Sequence, residues 1–217
     1  MTRNKVKIQR LTLAAFFVAI ELIMGFTPIG YIPLGVLSIT TMHIPVILAG
    51  VLFGPSFGAG MGFVFALTSF LGATLHPGLT SFVFTPFVSV GNMHGNFFSL
   101  LICFGPRILL GWMSGVMYAG LYKRCNRVLA ASVTAVVNTM IHTLLVLGGI
   151  YVFFAEPYAQ ALGTNTAGVA AVLLGVIASN GIVEAVFAGI AIPALVRALR
   201  PAAERMGILY VRGAEAR

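Results

Sequence analysis

The sequence predicts an all-α integral membrane protein, a bundle of six transmembrane helices with both termini in the cytosol. Three observations predict this class. Hydrophobic residues make up 59% of the 217 residues and charged residues only 8%, whereas a soluble domain needs far more polar surface to cover its core. Apolar stretches of about 20 residues, the length that crosses a bilayer, account for nearly the whole chain. The basic residues gather at the ends of those stretches.

The order of the helices follows the apolar stretches. The second and third are separated only by Gly54, Pro55 and Ser56, a tight turn that predicts a helical hairpin. We place the six helices over residues 8–26, 36–54, 56–74, 97–122, 128–154 and 168–197. They form a membrane domain of residues 1–200, and residues 201–217 are expected to be a basic cytosolic tail.

The segment over residues 75–96 is apolar but is interrupted by Pro77, Gly78, Pro86, Gly91 and Gly95. A helix interrupted this often would not span a membrane. We predict an irregular loop folded over the mouth of the bundle, because irregular backbone at membrane depth is tolerated only where protein or a watery cavity covers it. Residues 155–166 are expected to form another outer loop.

All of the basic residues except Arg107 fall into three clusters. These are Arg3, Lys5, Lys7 and Arg10; Lys123, Arg124 and Arg127; and Arg197, Arg200, Arg205, Arg212 and Arg217. With six helices all three clusters lie on one face, which the positive-inside rule assigns to the cytosol. Topology therefore explains the net charge of +8, and no nucleic-acid partner is expected. Cys103 and Cys125 would lie on opposite sides, so no disulfide is expected between them.

Arg107 is the exception because it lies within the fourth helix. A charge in the hydrocarbon costs at least about 2.5–3.5 kcal/mol, so its side chain is expected to face the bundle or a watery cavity. It shares a stripe with Gly111 and Gly115, small residues at the spacing of a close helix contact. A guanidinium suits a carboxylate or phosphate. Arg107 is therefore a candidate anchor for an anionic solute. The alternatives are a structural pair with Glu21 or Glu184, or a side chain that extends to the outer membrane interface.

Two further pairs of polar residues are spaced four apart, so that each pair shares a helix face. Asn138 and His142 lie on the fifth helix, and Asn180 and Glu184 lie on the sixth. Both pairs fall near mid-membrane, which favours a shared polar cavity. Hydrogen bonds that merely hold the helices together, worth about 0.6 kcal/mol each, are the alternative.

Other polar residues are weaker candidates for solute binding. His43 near the outer end of the second helix could touch the solute or bond backbone freed by Pro45. Asn92 and Asn96 could line the entrance or pair with loop backbone. For Glu21 we expect a structural pairing.

Ala15 and Ala19 form a small-residue pair on the first helix, which permits close approach of another helix. That helix could belong to this bundle or to a second protein.

Enzyme classes find no support in the sequence. It holds no glycine-rich phosphate loop, no HExxH metal motif and no GxSxG nucleophile elbow. Its five acidic residues are scattered, so general acid–base chemistry has little to work with. We therefore expect no catalytic residues, no metal site and no cofactor.

Several stretches, taken in order, resemble the substrate-binding (S) component of energy-coupling factor (ECF) vitamin transporters, with the pantothenate branch most similar. The resemblance covers residues 10–200. The matching stretches are Ala15-x-x-x-Ala19, Thr40-Thr41-Met42-His43-Ile44-Pro45-Val46, Gly54-Pro55-x-x-Gly58, Pro106-Arg107-Ile108-Leu109-x-Gly111 and Asn180-Gly181-Ile182-Val183-Glu184.

The resemblance implies a six-helix subunit in the cell membrane that captures a vitamin tightly from outside under a lid of outer loops. It implies docking through the first helix onto a transmembrane coupling subunit, and two cytosolic ATP-binding subunits that drive import. Arg107 would suit an anionic vitamin such as pantothenate. Folate or another vitamin is an open alternative, as is an autonomous secondary transporter or channel, although no internal repeat of the kind common in transporters is visible.

Overall fold

The computed structural model describes residues 3–34 and 37–211. The chain is mostly helical, as predicted, with two small antiparallel hairpins, β1–β2 and β3–β4. The elements are α1 (Arg3–Gly25), β1 (Tyr31–Leu34), β2 (Leu37–Thr40), α2 (His43–Phe53), α3 (Pro55–Leu75), β3 (Ser89–Val90), β4 (Met93–His94), α4 (Phe97–Leu121), α5 (Arg127–Leu162), α6 (Thr166–Val176) and α7 (Ile182–Met206).

Five helical stretches of the described chain are long and apolar enough to cross a membrane. They are Ile8–Gly25, Pro55–Leu75, Phe97–Leu121, Arg127–Leu162 and Thr166–Met206, the last comprising α6, a π-helical turn and α7. The helix α2 is also apolar but has only 11 residues. At 1.5 Å per residue it is about 16 Å long, roughly half the thickness of the hydrocarbon core.

The second helix differs from the predicted span of 36–54. Its predicted start lies outside the described residues, and the following residues Leu37–Thr40 form β2 instead of helix. The β-branched Ile39 and Thr40 favour an extended backbone. A proline is tolerated in the first turn of a helix but not in its interior, and Pro45 lies in the first turn because the helix begins at His43.

The fifth helix is longer than predicted. It runs on to Leu162, with non-helical backbone angles at Phe154 (φ −135°, ψ 18°) that mark a kink. Pro157, three residues later, has no N–H for the helix ladder, and a proline inside a helix bends it. Residues 155–162, expected as a loop, therefore form a short helical extension beyond the kink.

The last helix also extends beyond its predicted end, to Met206, and Gly207 ends it in the left-handed conformation (φ 69°). The chain then folds back, and the backbone N–H of Tyr210 donates to the carbonyl of Leu52 at 2.8 Å. Ile208 is buried against the bundle. Residues 201–211, expected in a loose tail, are thus part of the packed structure, and the remainder of the predicted tail, 212–217, lies outside the described residues.

The long helices alternate in direction, which gives the bundle two distinct ends. The hairpins β1–β2 and β3–β4 lie at one end, the hairpin end. The connection between α4 and α5 lies at the other end together with the end of α7, and we call this the basic end. Its described basic side chains are Arg10, Lys123, Arg124, Arg127, Arg197, Arg200 and Arg205.

Glycines set the contact between α3 and α4. A Cβ atom added to Gly111 would collide with the backbone of Gly58, and one added to Gly62 would collide with the carbonyl group of Arg107. These backbones therefore meet without intervening side chains, as the small-residue stripe on the fourth helix predicted. The contact fixes the backbone of Arg107 against α3.

Candidate functional site

Four of the predicted polar residues line one cavity of about 160 Å³ at the base of the β1–β2 hairpin. They are Arg107 from α4, His142 from α5, Asn180 from the π-helical turn and Glu184 from α7. The remaining wall is formed by Thr40, Phe65, Thr143, Val146, Leu147, Val176 and Gly181. The Asn180–Glu184 pair and His142 thus lie at one cavity, whereas Asn138, the other member of the fifth-helix pair, does not line it.

The Arg107 side chain is buried, with only 7% of its surface exposed. Its Nη1 atom donates to the carbonyl of Cys103 at 2.7 Å and to that of Ile102 at 3.3 Å. Pro106 explains the second bond, because a proline cannot donate to the carbonyl four residues earlier, which here is Ile102. The guanidinium therefore satisfies an acceptor that its neighbour in sequence leaves open.

Two aromatic rings also contact the guanidinium. Its central carbon lies 4.9 Å from the ring centre of Phe65 in α3 and 5.4 Å from that of Phe84 in the loop before β3, which is within cation–π range. No carboxylate of the described residues forms an ion pair with Arg107, so the expected alternative of a pair with Glu21 or Glu184 is not found. Its Nε atom is buried without a hydrogen-bond partner. The guanidinium therefore interacts with two aromatic rings and two backbone carbonyls, and Arg107 lines the cavity.

Glu184 ties the cavity wall to the hairpin. Its Oε1 atom accepts a hydrogen bond from the backbone N–H of Thr40 at 2.7 Å. Thr40 is the last residue of β2, three residues before the first residue of α2, His43. One side chain of α7 therefore positions the strand end that closes the cavity.

Asn180 lies in the π-helical turn Ile177–Gly181. Its Oδ1 atom accepts from the hydroxyl of Ser179 at 3.1 Å. Single π turns inside α-helices are rare, and those that occur are often found at functional sites. This π turn, between α6 and α7, contributes Asn180 and Gly181 to the cavity wall.

His142 and Asn138 lie one turn apart on α5, but only His142 lines the cavity. The His142 ring lies 6.0 Å from the ring of Phe65, and its Nε2 atom is buried without a hydrogen-bond partner. Asn138, one turn closer to the basic end, donates to the carbonyl of Thr134 at 2.8 Å, while its Oδ1 atom has no partner. The interior below the cavity therefore remains polar for at least one further turn.

Three other predicted binding residues lie outside the cavity wall. His43 is the first residue of α2 and is buried, with both ring nitrogens lacking a hydrogen-bond partner. Asn92 is exposed in the turn between β3 and β4. Asn96 caps α4, accepting from the N–H of Phe98 at 2.8 Å. Contact of these residues with a solute stays a prediction.

Glu21 differs from the expected structural pairing. The residue is fully buried, and neither carboxyl oxygen has a hydrogen-bond partner. The same face of α1 packs Phe17 against the rings of Phe53 and Phe57. Glu21 is therefore a buried acid in largely apolar surroundings.

Ala15 and Ala19 are exposed on α1. The residues of this helix that face the bundle, Phe17 and Glu21, each follow one of the alanines by two positions and therefore point to a different side of the helix. The alanine pair therefore does not serve packing inside the bundle, and the face it forms is open to another helix.

Thr40, Phe65, Phe84 and Thr143 belong to the site but were not predicted from the sequence. Phe65 and Phe84 are two of 17 phenylalanines, and nothing in their spacing distinguishes them from core or lipid-facing residues. Thr143 carries a short hydroxyl side chain of the kind that membrane helices commonly use internally, and Thr40 lies in a strand that was expected to be helix. The Pro106-Arg107 dipeptide was a usable signal, since the freed Ile102 carbonyl requires a donor nearby. No group of three or more metal-ligating side chains occurs among the described residues.

Comparison with known proteins gives consistent results. Residues 9–196 match the model of a family described as "ECF transporter, substrate-specific component". The pantothenic acid transporter PanT of Lactococcus lactis subsp. cremoris is 37% identical over 165 residues, which cover 75% of this chain and 78% of that protein. The pantothenate transporter PanT of Leuconostoc mesenteroides subsp. mesenteroides is 31% identical over 225 aligned positions, covering 96% and 99% of the two chains. The resemblance carried by the sequence motifs is thereby confirmed, and this chain belongs to the family of substrate-specific components of ECF transporters.

Proposed function

We propose that this multi-pass membrane protein is the binding subunit of an ATP-driven vitamin importer and that its solute is pantothenate. The observation that carries the proposal is Arg107. Its guanidinium lines a cavity and forms no ion pair with a carboxylate of the described residues. A buried charge without a counter-ion is costly, and an anionic guest would supply the missing partner. The printed names of both relatives favour pantothenate.

The chemistry of the cavity suits this solute. Pantothenate carries a carboxylate at one end, a central amide, two hydroxyls and a carbon with two methyl groups. Arg107 can receive the carboxylate through a charge-assisted hydrogen bond. His142 and Asn180 offer polar groups for the amide and hydroxyls, and Val146 and Leu147 offer apolar surface for the methyl groups.

The solute is proposed to enter at the hairpin end, with the cavity widening as it binds. The cavity of about 160 Å³ is smaller than the ~300–1,000 Å³ that ligand pockets usually have. The segments that cover it are the end of β2 at Thr40 and the loop that carries Phe84. Asn92 and Asn96 at this end are proposed to line the entrance. His43 and Asn138, buried with unsatisfied atoms, complete the proposed set of binding residues.

The proposed topology has six crossings and both termini in the cytosol. Five long helices would supply five crossings, and the short α2 together with the β1–β2 hairpin before it would supply the sixth. The basic end carries its arginines and lysines on one side of the bundle, and the positive-inside rule places such residues in the cytosol. The solute cavity then opens to the outside.

The proposed partners are those of an ECF module, a transmembrane coupling subunit and two cytosolic ATP-binding subunits. The exposed face of α1 at Ala15 and Ala19 supports docking of the coupling subunit there, because small side chains let two helices approach closely.

Binding and transport can be tested separately on the purified chain. Titration calorimetry in detergent is expected to show one equivalent of pantothenate bound, with folate failing to compete. Liposomes containing only this chain are expected to accumulate no labelled pantothenate. Tighter binding of folate than of pantothenate would identify folate as the solute instead. Accumulation of pantothenate without ATP-binding subunits would favour an autonomous transporter.

A further inference from the structure

A second cleft, of about 280 Å³, lies at the basic end between the start of α5 and the end of α7. Three arginines line it, Arg127 from α5 and Arg197 and Arg200 from α7. It lies at the opposite end of α7 from the residues that line the solute cavity, so it is a separate feature of the bundle.

The cleft carries a surplus of positive charge. Among the described residues, Glu204 is the only carboxylate that lines it, and its Oε1 atom already accepts from the Nε atom of Arg200 at 2.6 Å. Arg200 is further held by Tyr122, whose hydroxyl accepts from Nη2 at 3.0 Å and whose ring centre lies 5.3 Å from the guanidinium. Arg197 is exposed and forms no ion pair or hydrogen bond within the described chain. Arg200 is thus fixed in place, and Arg197 beside it can turn toward an anion.

The other side of the cleft is apolar. Val128, Pro193 and Val196 line it, and Val128 is 57% exposed. A molecule that fits this cleft has an anionic group at one end and hydrocarbon at the other.

We propose that this cleft binds the phosphate headgroup of an anionic phospholipid, with its acyl chains lying against Val128 and Pro193. Basic pockets between transmembrane helices are suited to anionic headgroups because guanidinium forks pair with phosphate and the helix surface receives the chains. The bound lipid anchors the α5–α7 edge of the bundle at the membrane surface. The inference requires only that the basic end lies at a membrane surface and holds whichever vitamin the cavity accepts.

Native mass spectrometry of the detergent-solubilised protein tests the site, with phosphatidylglycerol and phosphatidylcholine supplied in equal amounts. The wild type is expected to retain phosphatidylglycerol. The double variant Arg127→Gln/Arg197→Gln should retain at least about tenfold less, since each basic residue near a membrane surface contributes measurably to binding of anionic lipid. The matched control Lys123→Gln/Arg124→Gln removes the same charge from exposed residues outside the cleft and should retain nearly as much as the wild type.

Two results would overturn the proposal. Equal loss of lipid in both double variants would show general attraction by surface charge. Displacement of the lipid by an equal concentration of inorganic phosphate would show a simple anion site that does not recognise chains. Pantothenate titration of the same variants separates this inference from the proposed function, because the solute cavity is untouched. If the double variant does not fold, Arg197→Gln alone, an exposed position, carries the test with the same directions.

Discussion

The Nη1 atom of Arg107 donates to the carbonyl oxygen of Ile102 at 3.3 Å, the acceptor that Pro106 leaves open in the same helix. The Arg107 side chain therefore replaces a missing backbone hydrogen bond of its own helix, and it also lines the cavity. These two tasks are separable, because the missing backbone bond arises from the proline alone.

Replacing Arg107 by Ala is expected to weaken pantothenate binding by more than about tenfold, or 1.4 kcal/mol, because the carboxylate loses its charged partner. It also leaves the Ile102 carbonyl open, which costs about 1 kcal/mol of stability. Titration calorimetry and thermal unfolding of the purified variant measure the two effects.

The double variant Pro106→Ala/Arg107→Ala separates stability from binding. Alanine at position 106 restores the backbone donor, so thermal stability should recover relative to Arg107→Ala while affinity stays low. If affinity returns along with stability, Arg107 acts only by maintaining the helix, and the solute does not contact it.

The bond from Thr40 to Glu184 predicts how the hairpin is held. Glu184→Ala removes the acceptor and should speed hydrogen exchange at the Thr40 amide severalfold, since an intramolecular hydrogen bond is worth about 0.5–1.5 kcal/mol. Glu184→Gln keeps an acceptor oxygen and is the matched control. Exchange measured on a peptide covering residues 37–44 decides the matter; an unchanged rate in the alanine variant would mean that other contacts hold the strand.

Much of this site could be predicted because membrane helices leave little ambiguity. A charged or amide side chain in an apolar helix is expected to face the interior, so His142, Asn180 and Glu184 could be grouped by spacing and depth, and Arg107 could be singled out by its charge. These four residues line one cavity. Asn138 shows the limit of that argument. It satisfies the same spacing but lies one turn too deep, a difference smaller than the error of counting residues along a helix.

The features that could not be predicted are those in which local geometry departs from a regular helix. The β1–β2 hairpin replaces the start of the expected second helix, and its end at Thr40 becomes part of the cavity. The π-helical turn at Asn180 has no sequence signature. Phe84 reaches Arg107 from an irregular loop, and the path of such a loop depends on contacts with the whole bundle.

The glycine contact between α3 and α4 predicts a large difference between two similar substitutions. A methyl group at Gly111 would collide with the backbone of Gly58, so Gly111→Ala should destabilise the fold by about 1–3 kcal/mol or more. Gly120, nine residues further along the same helix, is exposed with open space around it. Gly120→Ala is expected to be neutral or to stabilise by up to about 1 kcal/mol. Denaturant titration in detergent compares them, and equal effects would contradict the close approach.

The exposed alanines of α1 predict a defect in the assembled importer alone. Leucine at Ala15 and Ala19 should leave pantothenate titration of the isolated subunit unchanged, because neither residue lines the cavity. Uptake by the complete complex in liposomes should fall several-fold, because the larger side chains block close approach of a helix. Leucine at Ala171, an exposed position on α6, is the control. Full uptake by the α1 variant would place the docking face elsewhere.

Glu21 predicts a substitution that stabilises the bundle. Both of its carboxyl oxygens are buried without hydrogen bonds, and burial of such a group costs free energy that an apolar side chain does not require. Methionine matches its length and adapts to irregular packing, so Glu21→Met should raise the free energy of unfolding by about 1 kcal/mol or more. Glu21→Gln should bring little gain, since its amide also lacks partners. Thermal unfolding of both variants gives the comparison. Lower stability of the methionine variant would mean that the carboxyl group makes a favourable interaction within the bundle, and loss of pantothenate binding would connect α1 to the solute cavity.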